Sequence, residues 1–163
     1  MAFYQIRQEQ FIQADLERVW DFISAPENLK KITPPSMGFD ITGKSAEGKM
    51  YPGMIITYIV RPVLHIPTKW MTEITHVKPL KYFVDEQRIG PYKLWHHQHK
   101  IEARDGGVLM TDIVTYAPPF GILGRITNRL LIRKKLKEIF DYRFNALEEY
   151  FTQLNKRTSS GTL

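Results

Sequence analysis

The chain contains no cysteine. That absence excludes disulfide bridges, thiolate–zinc sites and cysteine nucleophiles. No apolar run approaches the about 20 residues needed to span a bilayer, and the opening Met-Ala-Phe-Tyr-Gln-Ile-Arg lacks the apolar core of a secretory signal. The expectation is a cytoplasmic protein without stable membrane insertion. There is no nucleophile elbow, no phosphate-cradling glycine loop and no dinucleotide fingerprint. Gly43, Gly48 and Gly53 punctuate turns instead.

What is present is ordinary enough to fold. With 43% hydrophobic and 25% charged residues in 163, the chain can bury a core as one domain, read here as residues 1–156 followed by a flexible tail, 157–163. The net charge of +6 is uneven: Arg125, Arg129, Arg133, Lys134, Lys135 and Lys137 crowd into one stretch. Such a cluster suits nucleic acid or an anionic membrane, but aromatics are not interleaved there for base stacking, and it reads as the solvated face of a helix and not as a nucleic-acid site.

Periodicity gives the order of elements. Residues 3–12 alternate as a first strand. Asp15 is placed to cap a short helix carrying Leu16, Val19, Trp20 and Ile23, and Ala25-Pro26 stops it. A second short helix runs from Glu27 or Asn28 to Ile32, ended by Thr33-Pro34-Pro35. Strands are then predicted at 39–42, 54–60, 69–77, 82–89, 93–102 and 108–116. One long helix follows, from about Leu123 to about Asn155, with Leu136, Phe140, Arg143, Leu147, Phe151 and Leu154 on its inner stripe. Strands joined by tight turns make an antiparallel sheet, and the helix must bury its stripe against it. The fold class is α+β: a curved seven-stranded antiparallel sheet around a long C-terminal helix, with two short helices after the first strand and a cavity between sheet and helix.

Three of the five histidines lie in Trp95-His96-His97-Gln98-His99. On a strand, Trp95, His97, His99 and Ile101 share one face, and His96 points the other way. Asp105-Gly106 is a strong hairpin turn. If Arg104 opposes Gly107, then His99 faces Asp112, His97 faces Val114 and Trp95 faces Tyr116, all on one face. The inward face thus joins an aromatic wall to two imidazoles and a carboxylate. His99 beside Asp112 is either a buried hydrogen bond that satisfies two polar groups or a candidate acid–base pair. The same two histidines with Asp112 would suit zinc or non-haem iron, but no supporting outer ligand pattern is readable, and the expectation is no metal and no cofactor. Arg143 on an apolar stripe either pairs with Asp112 or Asp85 across the cavity or snorkels along the helix edge. The turn Gly90-Pro91-Tyr92 leaves open whether Asp85 or Glu86 faces inward. The stretches 63–67 and 118–123 are unusually apolar for connections, suited to gating a hydrophobic ligand or packing on a partner.

These residues resemble a known family. The element order is similar to the helix-grip fold of the SRPBCC (START/Bet v 1-like) superfamily. Val19-Trp20-Asp21-Phe22-Ile23-Ser24, Phe83-Val84-Asp85-Glu86-Gln87 with Gly90-Pro91-Tyr92, Trp95-x-His97-x-His99, Met110-x-Asp112-x-Val114-x-Tyr116 and Ile139-Phe140-x-Tyr142-Arg143 resemble its bacterial cell-division-inhibitor-like branch, which has no settled activity. The superfamily implies an apolar cavity for lipids, polyketides or aromatic molecules, and some members, such as aromatase/cyclases, catalyse. The expected function is binding or carriage of a small hydrophobic molecule by Trp95, His97, His99, Asp112, Tyr116, Phe140 and Arg143. The alternatives are a cyclase- or hydrolase-like enzyme using His99 and Asp112, or a regulatory protein without a ligand.

Overall fold

The computed structural model describes residues 2–61 and 66–160. Most of the predicted apolar connection at 63–67 lies outside them. Strand β1 (Tyr4–Ile12) leads into helix α1 (Leu16–Ile23), followed by 3-10 turns at Pro26–Ile32 and Pro35–Met37. Six strands come next: β2 (Asp40–Lys44), β3 (Met54–Val60), β4 (Thr68–Lys78), β5 (Tyr82–Ile89), β6 (Leu94–Arg104) and β7 (Gly107–Ala117). A continuous helical segment closes the chain: α2 (Gly121–Thr127), a π turn (Asn128–Ile132) and α3 (Arg133–Ser160). The sheet runs β1-β7-β6-β5-β4-β3-β2 with every neighbouring pair antiparallel. This is the expected seven-stranded sheet around a long C-terminal helix.

Local chemistry explains the register. Gly106 takes φ +77° in the turn after Asp105, a conformation that favours glycine. The pairing it sets is Arg104↔Gly107, His99↔Asp112, His97↔Val114 and Trp95↔Tyr116, as the sequence predicts. Shifts in β4 at Met71/Thr72 and Ile74/His76 break the ladder and bend the sheet. The main core packs Val19, Trp20, Phe22 and Ile23 of α1 and Leu147 and Phe151 of α3 onto Ile74, Phe83, Ile101 and Met110. It fills one end of the grip and leaves the other end to the site described below.

Several boundaries differ from the sequence reading. Asp15 precedes α1 but its side chain caps nothing; it lies 3.4 Å from Arg18 instead. The second short helix is a 3-10 segment beginning at Pro26, whose fixed φ suits a first turn. The last helix begins two residues earlier than predicted and runs on to Ser160, past the predicted start of the tail. Its π turn holds an inward stripe at four-residue spacing through Gly124, Asn128, Leu136 and Phe140. Gly124 is required at its position, because a Cβ there would lie 1.8 Å from the Pro119 carbonyl oxygen.

Candidate ligand cavity and its charged floor

A cavity of about 390 Å³ lies between the sheet and the helical segment. Its walls follow from strand alternation. Ile56, Tyr58 and Val60 of β3 and Trp70, Thr72 and Ile74 of β4 point in, opposite Ile139 and Phe140 of α3. The aromatic wall satisfies its own polar atoms, since Thr72 Oγ1 lies 2.9 Å from the Tyr58 hydroxyl and accepts from Trp70 Nε1 at 3.0 Å. It therefore presents carbon to the cavity. The sequence reading named Trp95 and Phe140 but missed Tyr58 and Trp70, although the two-residue period of β3 and β4 carries the signal.

The polar groups converge on one floor. Trp95, His97, His99, Phe140 and Arg143 line the cavity, and Asp85 joins them. Asp112 and Tyr116 are absent from the lining. Asp112 sits behind the imidazoles. Tyr116 is buried against α2's continuation, donating to Asn128 Oδ1 at 2.9 Å. The pairing Asp85↔His97 answers the question left by the β5–β6 turn: Asp85 faces inward, while Glu86 faces out beside His96 and Arg88. Gln87 fixes that turn by bonding both ways with Tyr92, donating to its carbonyl at 2.7 Å and accepting from its amide at 3.2 Å.

The expected His99–Asp112 pair is part of a five-residue cluster. Asp112 Oδ1 lies 3.1 Å from His97 Nε2 and 2.7 Å from His99 Nδ1. On the other side, Asp85 Oδ2 lies 2.8 Å from His99 Nε2 and 3.5 Å from His97 Nδ1. Each histidine thus spans the two carboxylates. Arg143 Nε is 3.3 Å from Asp112 Oδ2 without hydrogen-bonding geometry, and its Nη2 is 3.2 Å from His99 Nδ1. That last contact is a hydrogen bond only when Nδ1 is bare. The shorter approach to Asp112 assigns the Nδ1 proton to the carboxylate, so Arg143 acts on the cluster chiefly as a charge. Phe83 stacks on His99 with centroids 4.1 Å apart, and Phe140 meets His97 edge-on.

Charge counting explains how such a cluster survives burial. Two carboxylates and one guanidinium leave one negative charge, and one imidazolium cancels it. Burial pushes Asp112 up, but the Arg143 and His99 charges outweigh it and hold the carboxyl well below its usual range. Asp85 is likewise lowered, its burial outweighed by the two histidines. For His99, burial is overcome by Asp112 and Asp85, and its pKa is raised. His97, equally buried and next to a charged His99, falls to about 4. The two rings are thus pushed in opposite directions, His99 towards its protonated form and His97 towards its neutral one. Asp85, His97 and His99 each offer one potential ligand atom, and the three atoms lie within 4.8 Å of one another.

No family model and no curated protein matches the sequence. Solved structures do. The aromatase/cyclase Zhui from Streptomyces sp. R1128 superposes with a TM-score of 0.74 at 11% identity, covering 93% of this chain and 95% of that one. Ara h 8.0201 gives 0.64 at 15% identity, covering 93% and 99%. A protein of Thermus thermophilus gives 0.68 at 16%, with the same coverages. At such identities the similarity shows the fold, and the fold of this chain is the Bet v 1-like helix grip.

Proposed function

We propose that the protein binds and carries a small, largely hydrophobic molecule of lipid, polyketide or aromatic type. The observation that carries this reading is the cavity itself: a carbon-lined space of about 390 Å³ with its acidic and imidazole groups gathered at one place. Apolar walls with a few convergent polar groups are the usual composition of ligand sites, where the walls supply affinity and the polar groups fix orientation. Asp85, neutral His97 and Arg143 would meet the polar end of the ligand, while Asp112 holds the histidines from behind. The resemblance to the cell-division-inhibitor-like branch adds no ligand to this reading.

A titration with 1-anilino-8-naphthalenesulfonate, followed by its fluorescence, tests the proposal. Saturable one-to-one binding is expected, and Ile139→Trp, which fills the cavity from α3, should abolish it. Binding unchanged by Ile139→Trp would place the probe elsewhere and remove the support.

A second reading has one observation in its favour. His99, set between two carboxylates in a cavity wall, is placed for acid–base chemistry on a bound aromatic precursor, and a structural neighbour is an aromatase/cyclase. Under it, His99→Gln removes turnover and leaves affinity for the precursor intact; under carriage alone there is no turnover to lose.

A further inference from the structure

We propose that Asp85, His97 and His99 form a binding site for a divalent transition-metal ion of the zinc class, with its remaining coordination positions open to the cavity. The three donor atoms lie within 4.8 Å of one another. Asp85 Oδ2 is 2.8 Å from His99 Nε2 and 3.5 Å from His97 Nδ1. An ion bonded at about 2.0–2.1 Å to two ligands separates them by about 3.3 Å at a tetrahedral angle and about 3.0 Å at a right angle. The two carboxylate–imidazole separations bracket both values. Adjacent strands fix the donors. His97 and His99 are two residues apart on one face of β6, and Asp85 pairs with His97 across the β5–β6 ladder.

The far side of each ring makes the stronger case. A ligating imidazole characteristically donates its other N–H to a carboxylate, which fixes its tautomer and orientation. Here the nitrogens pointing away from Asp85, His97 Nε2 and His99 Nδ1, both meet Asp112 Oδ1, at 3.1 and 2.7 Å. Arg143 stands against Asp112 Oδ2 and keeps that carboxylate balanced and outside the donor set. Two imidazoles and one carboxylate with open positions suit zinc or iron(II) better than calcium or magnesium, which favour all-oxygen sites. All three donors line the cavity. The site stands on its own donors and does not rest on the apolar-ligand reading. Where both hold, the ion would grip the polar end of the ligand.

The test uses tag-free full-length protein, dialysed against a chelator and then titrated with zinc chloride by calorimetry. One ion per chain is expected. Asp112→Asn should weaken binding by about 10–100-fold. Asp85→Asn and His97→Gln should weaken it further than that, and His76→Gln, at an exposed position, should leave it unchanged. Addition of cobalt(II) to the unmutated protein gives a readout free of folding effects: the intense visible bands of a four- or five-coordinate ion are expected. Absence of zinc binding, affinity indifferent to Asp85→Asn in a folded variant, or a cobalt spectrum no different from the aquo ion would each overturn the proposal.

A separate observation concerns the outside of the helical segment. Ile122, Ile126 and Leu130, four residues apart, are 70%, 53% and 73% exposed, and Phe120 extends the ridge at 80%. Arg125, Arg129 and Arg133 form the neighbouring stripe. Together with Lys134, they make no ion pair among the described residues, and residues 113–137 contain no acidic side chain. An apolar ridge flanked by uncompensated cations complements an anionic bilayer, where the ridge enters the headgroup boundary and the cations meet lipid phosphates. A second copy docking here would bring like charges together. We infer that this face docks on anionic membranes. Co-sedimentation with vesicles of phosphatidylcholine containing phosphatidylglycerol should retain the protein, whereas pure phosphatidylcholine should not. Arg125→Gln or Arg129→Gln should each weaken binding about 5-fold, and Leu130→Ser by about 10-fold or more. Failure to bind anionic vesicles, or a dimer in sedimentation velocity that Leu130→Ser dissociates, would refute the assignment.

Discussion

Removing the Arg143 guanidinium probes the buried charge balance most directly. In Arg143→Met the stem volume is roughly kept, but Asp85 and Asp112 are left with a single imidazolium between them. The Arg143 and Asp112 side chains are only 11% and 9% exposed, and their charged atoms are 3.3 Å apart. At an effective dielectric of about 20, two unit charges at that separation attract by about 5 kcal/mol. Breaking a buried pair from one side costs about 3–5 kcal/mol, because the partner charge stays buried. That is about a fifth or more of the about 5–15 kcal/mol that holds a domain of this kind together. At about 2–4 °C per kcal/mol, the melting temperature should drop by about 10 °C. Asp112→Asn should cost a comparable amount. The double variant Arg143→Met/Asp112→Asn restores neutrality through Asp85 and His99, and should cost clearly less than the sum. Urea unfolding followed by tryptophan fluorescence measures all four corners of the cycle. Single variants costing under about 1 kcal/mol, or a strictly additive double variant, would refute the reasoning that the cluster is held by mutual charge compensation.

The metal-free protein should show a stability optimum near neutrality. His97, depressed to about 4 in the folded state, contributes stability above its unfolded pKa, which fades as pH falls through about 6.5 towards 4. That limb amounts to about 3 kcal/mol. His99, with its pKa raised by folding, contributes below its unfolded pKa and loses that contribution as pH rises above it. In urea titrations across pH, His97→Gln should flatten the acid limb and His99→Gln the alkaline one; unchanged limbs would contradict the proton placement. Asn128→Leu strands the buried Tyr116 hydroxyl and should cost about 1–3 kcal/mol in the same assay, with Tyr116→Phe in that background recovering part of it. Gly124→Ala drives a methyl into the Pro119 carbonyl and should cost about 1–3 kcal/mol; a melting temperature equal to wild type would show that the 118–121 bend yields freely.

How much of this was legible in the sequence depended on the turns. Asp105-Gly106 has essentially one hairpin geometry available, so the whole β6–β7 register, with His97 and His99 inward beside Asp112, followed from local chemistry. The β5–β6 connection has no such signature. Its register is set by the Gln87 side chain folding onto Tyr92, an amide–backbone clamp that periodicity does not encode, so Asp85 stayed ambiguous. One signal was available. Glu86 and Arg88 share a face with Val84, and an ion pair there suits the solvent side, leaving Asp85 on the face of Phe83. The π turn at Asn128–Ile132 was illegible for a different reason. Its extra residue per turn is stabilised from outside the helix, by the Tyr116–Asn128 bond and the close packing of Gly124 on Pro119, and helical spacing counted along the chain cannot register it.

The missing carboxylate changes the chemistry of the site as well as its membership. One histidine facing one aspartate is an acid–base dyad with a proton to give. Two histidines held between two aspartates are symmetric about the pair. Asp112 binds the outer nitrogen of each ring, and Asp85 gathers the inner nitrogen of each toward the cavity. With Arg143 counted, such a frame keeps one unit of negative charge, which a proton or a cation can balance. Arg143 lies against Asp112 and within 3.2 Å of the already committed His99 Nδ1, so its charge acts more strongly on Asp112 than on Asp85. When that balance comes from a bound cation instead of a proton, Asp85, His97 and His99 offer it a place on the cavity side. A ligand lying along the aromatic wall would turn its polar end to whatever occupies that place. Its affinity should accordingly depend on pH in metal-free protein and on metal loading otherwise, with the carbon-lined walls contributing equally in both cases.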